Sequence, residues 1–275
     1  MSDIKIIALD LDGTLLNSDK ELTPAAYAAL EEAAAKGIEI VPTTGRFYGG
    51  MPEVIRNLPF LHYAITINGA QVYDIRKQKA VSTCEIPWQR AVEIMRYLDT
   101  LPVIYDCYMD NQGWMTRSLQ EQSAGFAPNV HYLKMLLELR QPVDELKAFL
   151  AERKHDVQKI QFFIRDMELH RQLSETLPAM LPDIAVSSSV RNNIELNALH
   201  ANKGEALKQL ADYLGCGISQ TLAFGDGAND LSMIRMAGIG VAMENASDAI
   251  KAAADAVTLS NDADGVAVGI RKYCL

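Results

Sequence analysis

One stretch of sequence indicates the fold of this chain: Ile4-Lys5-Ile6-Ile7-Ala8-Leu9-Asp10-Leu11-Asp12-Gly13-Thr14. A nearly continuous apolar run that ends on charged residues is typical of a strand buried in a parallel sheet. A helix signal follows, in which Thr23 is the N-cap, Pro24 takes the first helical position and Gly37 ends the helix. We therefore expect a buried strand, a polar loop and a helix, in that order.

Strands and helices keep alternating in the N-terminal third, and the same alternation returns near the C-terminus. The predicted strands include 38–41, 63–67, 221–224 and 239–242, and a helix is predicted at 47–57. This alternation favours a doubly wound parallel sheet. The predicted fold class is therefore α/β, a Rossmann-like core built from both ends of the chain.

The middle of the chain has a different pattern. Short strand-like segments, a hairpin around Asp110-Asn111-Gln112 and several helices, one at 142–154, indicate an inserted α+β domain. A strand at 192–196 is assigned to the resumed core pattern. The predicted domains are a first core segment at 1–82, the α+β insertion at 83–189 and a second core segment at 190–275.

Composition argues against several kinds of partner. The 275 residues are 49% hydrophobic and 22% charged, which is ordinary for a globular protein. With 26 basic against 35 acidic residues the net charge is −9, so no nucleic-acid partner is expected. No apolar run reaches the roughly 18 residues of a membrane span, so no membrane partner is expected either.

The cysteines and the first residues bear on location. Cys84, Cys107, Cys216 and Cys274 are widely separated, which fits free thiols in a reducing compartment better than a disulfide or zinc framework. Met1-Ser2-Asp3-Ile4-Lys5 lacks the basic start of a signal peptide. We expect a cytoplasmic protein that is a monomer or a small homo-oligomer.

Polar residues gather where predicted strands end. In open α/β sheets ligands bind beyond the carboxyl ends of the strands, so these groups should converge on one crevice. They are Asp10-Leu11-Asp12-Gly13-Thr14, Thr43-Thr44-Gly45-Arg46 and Gly225-Asp226-Gly227-Ala228-Asn229-Asp230, with Asn202-Lys203-Gly204 opening a helix. Clustered carboxylates need a cation, and an all-oxygen site suits Mg²⁺. Lys203, the Thr44 hydroxyl and loop amides suit a phosphate group.

A carboxylate nucleophile beside Mg²⁺ and phosphate indicates phosphoryl transfer through an aspartyl-phosphate. On these motifs the chain resembles the haloacid dehalogenase-like superfamily of phosphohydrolases, whose four motifs occur in order. The position of the insertion, between the second and third motifs, is similar to the Cof-type sugar-phosphatase branch, whose members carry an α+β cap there. Thr44-Gly45-Arg46, Asn68-Gly69-Ala70 and Asn202-Lys203-Gly204 also match that branch.

The resemblance implies a role for each matching residue. Asp10 would be the nucleophile, and Asp12 the general acid and base. Mg²⁺ would be held by Asp10, by the backbone carbonyl of Asp12 and by Asp226, and Asn229 and Asp230 would each be an outer or a further ligand. The residues implied in phosphate or substrate binding are Thr44, Gly45, Arg46, Lys203 and Asn229.

Several assignments stay open at this stage. The phosphate-binding hydroxyl could be that of Thr43 instead of Thr44. Arg46 could pair with a substrate anion or with a core carboxylate, and Asn68 is most simply a turn residue. A second Asp-x-Asp-Gly at Asp262-Ala263-Asp264-Gly265 is assigned to loop and N-cap duty, because it lacks the partners of the first copy.

The resulting hypothesis is a Mg²⁺-dependent phosphatase that acts on small phosphorylated metabolites, with sugar phosphates as the favoured class. A phosphomutase or phosphotransferase would carry the same motifs and would differ only in using a second hydroxyl instead of water. A non-catalytic sensor of phosphometabolites would be expected to lack Asp10 or Asp12, and both are present.

Overall fold

The computed structural model describes residues 3–275, so the first two residues of the predicted N-terminal core segment lie outside it. The chain divides into two compact units. The first unit consists of the segment that ends at Thr83 and the segment Asn202–Leu275, and the second unit is Cys84–Ala201. A core made from both chain ends, with an inserted unit between them, is the arrangement that the sequence predicts.

Helices and strands follow one another in all three stretches of the chain. The first segment contains β1 (Ile6–Leu9), α1 (Pro24–Ala35), β2 (Glu39–Pro42), α2 (Glu53–Arg56), β3 (Tyr63–Thr66), β4 (Gln71–Asp74) and β5 (Lys79–Thr83). The second unit contains α3 (Trp88–Leu98), β6 (Val103–Met109), β7 (Gln112–Thr116), α4 (Arg117–Gln120), α5 (Val130–Glu138), β8 (Arg140–Val143), α6 (Leu146–Arg153), β9 (Lys159–Ile164), α7 (Met167–Met180), β10 (Ile184–Ser187) and β11 (Asn193–Ala198). The last segment contains α8 (Lys203–Tyr213), β12 (Thr221–Gly225), α9 (Leu231–Met236), β13 (Ile239–Ala242), α10 (Asp248–Ala253), β14 (Ala256–Val257) and α11 (Gly265–Tyr273).

The first unit is built on a parallel sheet of order β14-β13-β12-β1-β2. Isolated parallel bridges at Ile40–Leu61 and Thr43–Ile65 connect β2 to the β3 edge of a smaller sheet, β3-β4-β5. Alternate residues of β1 face opposite layers of helices: Ile7 and Leu9 lie in the cluster with α1 and α11, and Ile6 and Ala8 in the cluster with α8. The predicted doubly wound core is therefore confirmed.

The local signals at α1 act as predicted, whereas the predicted helix at 47–57 is wrong. Thr23 accepts a hydrogen bond from the backbone N–H of Ala26 and caps α1. Residues 47–57 instead form a 3₁₀ turn at Tyr48–Gly50 and the short α2, with Met51 extended between them (ψ 146°). Pro52 follows Met51, and the residue before a proline is kept out of the helical region.

The second unit contains a six-stranded sheet of order β10-β11-β9-β6-β7-β8, antiparallel except for the β7–β8 pair. The predicted helix at 142–154 is shorter than expected, because Pro142 lies in β8 and α6 begins only at Leu146. β8 is an edge strand, where a proline costs no ladder hydrogen bond. The side chain of Glu145 caps α6 by accepting a hydrogen bond from the backbone N–H of Ala148.

The structure also differs from the predicted domain boundary at 189/190. β11 pairs antiparallel with β9 and β10, so it belongs to the second unit, which extends to Ala201. Its residues alternate: Ile194 and Leu196 are in the apolar core of that unit, whereas Glu195 is polar and buried. Such alternation is typical of antiparallel strands, whereas fully buried parallel strands are apolar throughout. Over the described residues, no helix has both the length and the apolar character needed to cross a membrane.

Candidate active site

The loop after β1 carries the first two predicted site residues. The N–H of Asp10 donates to the carbonyl of Phe224 on β12, so the sheet ladder extends to Asp10 itself. Gly13 has a φ of +89°, and a Cβ on it would lie 2.5 Å from Oδ2 of Asp226. A glycine is therefore required for the loop to bring its backbone against the Asp226 carboxylate.

Lys203 lies at the start of α8, where the side chain of Asn202 caps the helix. Its ammonium group is fully buried and donates to Oδ1 of Asp10 and to Oδ1 of Asp230, each at 2.6 Å. Burial alone would lower the pKa of Lys203, but the two carboxylates outweigh it and raise the pKa. Lys203 is therefore a permanent cation at the centre of the site.

Asp226 and Asp230 follow the end of β12. Oδ1 of Asp226 accepts a 2.7 Å hydrogen bond from the hydroxyl of Thr14. Oδ2 of Asp230 accepts from the backbone N–H groups of Asp226 and Gly227, at 3.0 and 2.9 Å. With Lys203 on its other oxygen, Asp230 holds the loop and the lysine in place.

The three carboxylates form a site that fits a divalent cation. One oxygen from each of Asp10, Asp226 and Asp230 lies within 4.8 Å of the other two. When all three are ionised, Lys203 balances one charge and leaves an excess of two negative charges. Burial, with the charge of Asp230 adding to it, raises the pKa values of Asp10 and Asp226. A buried oxygen-only set with this excess matches the ligand chemistry of Mg²⁺.

Asp12 has different partners. Arg46 donates from Nε to Oδ2 at 2.9 Å and from Nη2 to Oδ1 at 3.0 Å, and Nζ of Lys20 lies 3.0 Å from Oδ1. Burial would raise the pKa of Asp12, but the two cations outweigh it, and the pKa lies below its usual range. Of the two partners considered for Arg46, the structure shows the core carboxylate.

The remaining predicted residues lie around Asn68. A Cβ on Gly45 would lie 2.8 Å from Oδ1 of Asn68, and the side-chain amide of Asn229 donates to that oxygen at 3.2 Å. Thr44 is 2% exposed, and its hydroxyl accepts from the N–H of Arg46. The Thr43 hydroxyl donates to the carbonyl of Val41 on β2, so its proton is already used in a hydrogen bond within the first unit.

Three residues of this cluster were missed as site residues. Thr14 adjoins the Asp-Leu-Asp-Gly motif, and Asn68 lies in a turn signal, so each had a detectable signal. Asn68 has a φ of 57° and is 6% exposed, which distinguishes it from an ordinary surface turn. Lys20 had no signal, because only the path of its loop brings it to Asp12.

The second Asp-x-Asp-Gly copy makes loop contacts, as expected, but it does not cap a helix as predicted, because Asp264 precedes α11 without a side-chain cap hydrogen bond. Asp262 accepts from the backbone N–H and the hydroxyl of Ser18, and Asp264 accepts from the hydroxyl of Thr23. These bonds attach the loop before α11 to the segment that leads into α1. Neither aspartate belongs to the carboxylate cluster.

Comparison with known protein families agrees with this geometry. The family model for haloacid dehalogenase-like hydrolases matches residues 7–270. The chain belongs to this family. The match extends over both segments of the first unit and the whole second unit, and it confirms the resemblance inferred from the motifs.

Named relatives of this haloacid dehalogenase-like hydrolase are phosphatases. Phosphatase YwpJ of Bacillus subtilis (strain 168) is 32% identical over 283 residues, covering 96% of this chain and 98% of that protein. The 5-amino-6-(5-phospho-D-ribitylamino)uracil phosphatase YcsE of the same organism is 30% identical over 275 residues, covering 99% and 97%. The solved structure of a haloacid dehalogenase-like hydrolase from B. subtilis is 32% identical, with a TM-score of 0.81 and coverage of 99% and 100%. The chain is therefore an enzyme, a haloacid dehalogenase-like phosphatase.

Proposed function

We propose that this enzyme hydrolyses small phosphate monoesters, with sugar phosphates as the preferred class, through an aspartyl-phosphate on Asp10 and with Mg²⁺ as its cofactor. The observation that supports this most is the buried cluster in which Lys203 contacts Asp10 and Asp230 beside Asp226. It combines a carboxylate nucleophile, a fixed cation and an oxygen-only cation site in one place.

In the first half of the reaction, a carboxylate oxygen of Asp10 attacks phosphorus. The bond from phosphorus to the leaving oxygen breaks, and Asp12 donates a proton to that oxygen. In the second half, water attacks the phosphorus of the aspartyl-phosphate, Asp12 accepts the proton from that water, and the Asp10 carboxylate leaves. Inorganic phosphate and the alcohol are the products.

Two further groups stabilise the transferring phosphoryl group in this proposal. Lys203 offsets the negative charge that builds on its oxygens, and the buried Thr44 hydroxyl donates to one of them. Gly45 lets the backbone approach the phosphate. Asn229 also binds the substrate in this proposal, and its side-chain amide is held in place by donating to Asn68. Arg46 acts through Asp12, to which it is hydrogen-bonded twice.

We assign the Mg²⁺ ligands to Asp10, the backbone carbonyl of Asp12 and Asp226. Both oxygens of Asp230 are already hydrogen-bonded, which favours an outer role for this residue. When bound, the ion would neutralise phosphoryl charge and orient the phosphate group.

The substrate class is supported by the names of relatives. Those names include the phosphoribitylamino-uracil phosphatase above and a pyridoxal phosphate phosphatase of Escherichia coli, 28% identical over 274 residues. Both names describe small phosphorylated metabolites. The four free cysteines support the proposed cytoplasmic location, where thiols stay reduced.

The test is phosphate release from a panel of sugar phosphates, nucleotides and an aryl phosphate, with Mg²⁺ or EDTA. We expect turnover with Mg²⁺, none with EDTA, and the best turnover on sugar phosphates. If folded protein that binds Mg²⁺ released no phosphate from any compound, the hydrolase proposal would be wrong. Transfer to an added alcohol in place of water would indicate a phosphotransferase instead.

A further inference from the structure

The loop after β1 folds back on itself through backbone hydrogen bonds. The N–H of Leu15 donates to the carbonyl of Asp10 at 3.2 Å. The N–H of Leu16 donates to the carbonyl of Leu11 at 2.9 Å. The carbonyls of Gly13 and Leu16 are bonded differently, because each accepts from a side chain that comes from a distant part of the sequence.

Two asparagines of the last core segment supply these bonds. Nδ2 of Asn245, which follows β13, donates to the carbonyl of Gly13 at 2.8 Å. Nδ2 of Asn261 donates to the carbonyl of Leu16 at 3.0 Å. The two asparagines are also joined to each other, because the backbone N–H of Asn261 donates to Oδ1 of Asn245 at 3.1 Å. We call this pair the asparagine brace.

The brace holds the backbone on both sides of Asp12 in the folded loop. Gly13 directly follows Asp12 and has a φ of +89°, and a glycine has a wide range of backbone angles open to it. The bond from Asn245 to the carbonyl of Gly13 restricts that freedom. Leu16 forms an isolated parallel bridge with Asp12, so the bond from Asn261 to Leu16 fixes the partner strand of this bridge.

The brace complements the ion pairs of Asp12. Arg46 and Lys20 hold the carboxylate of Asp12, whereas the brace acts on the backbone that carries this side chain. Asn245 is exposed and Asn261 is 8% exposed. Among the hydrogen bonds of the described residues, neither asparagine bonds to a carboxylate of the site. The pair therefore acts through the loop and not on the reacting atoms.

We propose that Asn245 and Asn261 are positioning residues for the hydrolysis, which fix the loop 12–16 so that Asp12 reaches the leaving oxygen. This inference rests on the proposed function, because it takes Asp12 as the general acid. It gives a task in the reaction to the residue that directly precedes the second Asp-x-Asp-Gly copy. A catalytic group misplaced by about 1 Å can lower a rate on the order of 10²-fold.

The first measurement compares kcat/KM for two substrates with different leaving groups. A sugar phosphate needs a proton on its leaving oxygen, whereas 4-nitrophenolate is a far weaker base and leaves without one. Asn245→Ala and Asn261→Asp should lower kcat/KM for the sugar phosphate on the order of tenfold more than for 4-nitrophenyl phosphate. Asn261→Asp keeps the shape of the side chain and replaces its N–H donor by an oxygen.

Asp255→Ala is the matched control for Asn245→Ala. Asp255 is also exposed and also bonds to a backbone group at 2.8 Å, the N–H of Gly240, but this contact does not involve the loop after β1. The control should leave the ratio of the two kcat/KM values unchanged. If the less exposed Asn261 variant does not fold, Asn245→Ala decides the result, because an exposed asparagine can be shortened without opening the core.

The second measurement does not depend on phosphate release. Hydrogen exchange of the amides of Leu15 and Leu16, followed by NMR without substrate, should be faster in the brace variants and unchanged in Asp255→Ala. An equal loss of kcat/KM on both substrates, or unchanged exchange, would overturn the proposal. If the wild type released no phosphate from either substrate, the proposed function would fail by itself, and the exchange rates would decide alone whether the brace holds the loop.

Discussion

Arg46 holds the carboxylate of Asp12 through two hydrogen bonds, from Nε to Oδ2 and from Nη2 to Oδ1. Only an arginine can bind both oxygens in this planar manner, and Lys20 adds a single contact to Oδ1. Because these cations favour the charged form, Asp12 is a carboxylate in the free enzyme and must gain its proton when substrate arrives. The Arg46–Asp12 pair thus sets the resting state of the proposed acid and base.

Lys20→Met should raise the pKa of Asp12, and Arg46→Met should raise it further, because Arg46 makes two bonds and Lys20 one. The pKa of Asp12 in the folded protein lies below its value in the unfolded chain. Asp12 therefore stabilises the fold at pH values above the unfolded pKa, and this stabilisation is lost as pH falls through the folded pKa. That contribution should shrink in both variants. The measurement is a ¹³C NMR titration of the carboxyl groups, with Asp12→Asn to assign the signal.

The control for this titration is Lys5→Met, since Lys5 pairs with Asp3 before β1 and should leave Asp12 unchanged. An Asp12 titration that is identical in the Lys20, Arg46 and Lys5 variants would show that the ion pairs do not set its protonation.

Asp10→Asn should abolish phosphate release, with a loss of kcat on the order of 10³-fold or more, because an amide cannot form the aspartyl-phosphate. The fold should persist, since the substitution removes a buried charge and keeps the shape. Asp262→Asn is the matched control, because it alters the first aspartate of the other Asp-x-Asp-Gly copy, which contacts Ser18. Equal activity loss in the two variants, or none in either, would contradict the assignment of the nucleophile.

Lys203→Met should destabilise the fold by about 3–5 kcal/mol, because it leaves the buried carboxylates of Asp10 and Asp230 without their cation. Lys203 lowers the pKa of Asp10, so in the variant that pKa rises further. A folded pKa above the unfolded one means that stability falls as pH rises between the two values. Burial already raises the pKa of Asp10 to about 8 in the wild type, so the two proteins differ in Asp10 protonation only above that value, and the deficit should be larger at pH 9 than at pH 7.

Urea unfolding of both proteins at the two pH values measures this deficit. Lys208→Met is the control on the same helix, because Lys208 is exposed and should change stability by less than about 0.5 kcal/mol. A pH-independent deficit would mean that the carboxylates are not the source of the instability.

The sequence predicted best those site residues that lie at the ends of adjacent parallel strands. The carboxyl ends of β1 and β12 meet because the strands are parallel and adjacent, so Asp10 and Asp226 could be placed together from the chain alone. The position of Lys20 beside Asp12 could not be predicted in this way. It depends on the path of a loop in which Lys20 itself has a φ of 65°, and not on any periodicity of the sequence.

The misplaced strand at 192–196 has a comparable cause. A local sequence pattern predicts a strand but not the strands with which it pairs. Only the antiparallel pairing with β9 and β10 assigns β11 to the second unit. The alternation of Ile194 and Leu196 with polar neighbours was visible in the sequence and favours that pairing over a buried parallel strand. Pairing is decided by long-range packing, which a local pattern does not contain.

Gly13→Ala should weaken Mg²⁺ binding, because the added Cβ would lie 2.5 Å from Oδ2 of Asp226, and this is the oxygen of the proposed ligand that does not accept the hydrogen bond from Thr14. Gly37→Ala is the control that separates the effect of this contact from the effect of backbone strain. Gly37 has a similar φ of +82°, but a Cβ there meets nothing within 4 Å. Both variants should lose about 1 kcal/mol or more of stability from the left-handed backbone.

Thermal unfolding across a Mg²⁺ titration distinguishes the two effects. Wild type and Gly37→Ala should both gain about 2.7 kcal/mol when Mg²⁺ is present at a hundred times its dissociation constant. At the same Mg²⁺ concentration Gly13→Ala should gain less, because the displaced Asp226 carboxylate binds the ion more weakly. If Gly13→Ala kept the full Mg²⁺ response while losing the same stability as Gly37→Ala, the glycine would serve only the loop conformation, and Asp226 would not hold the metal through that oxygen.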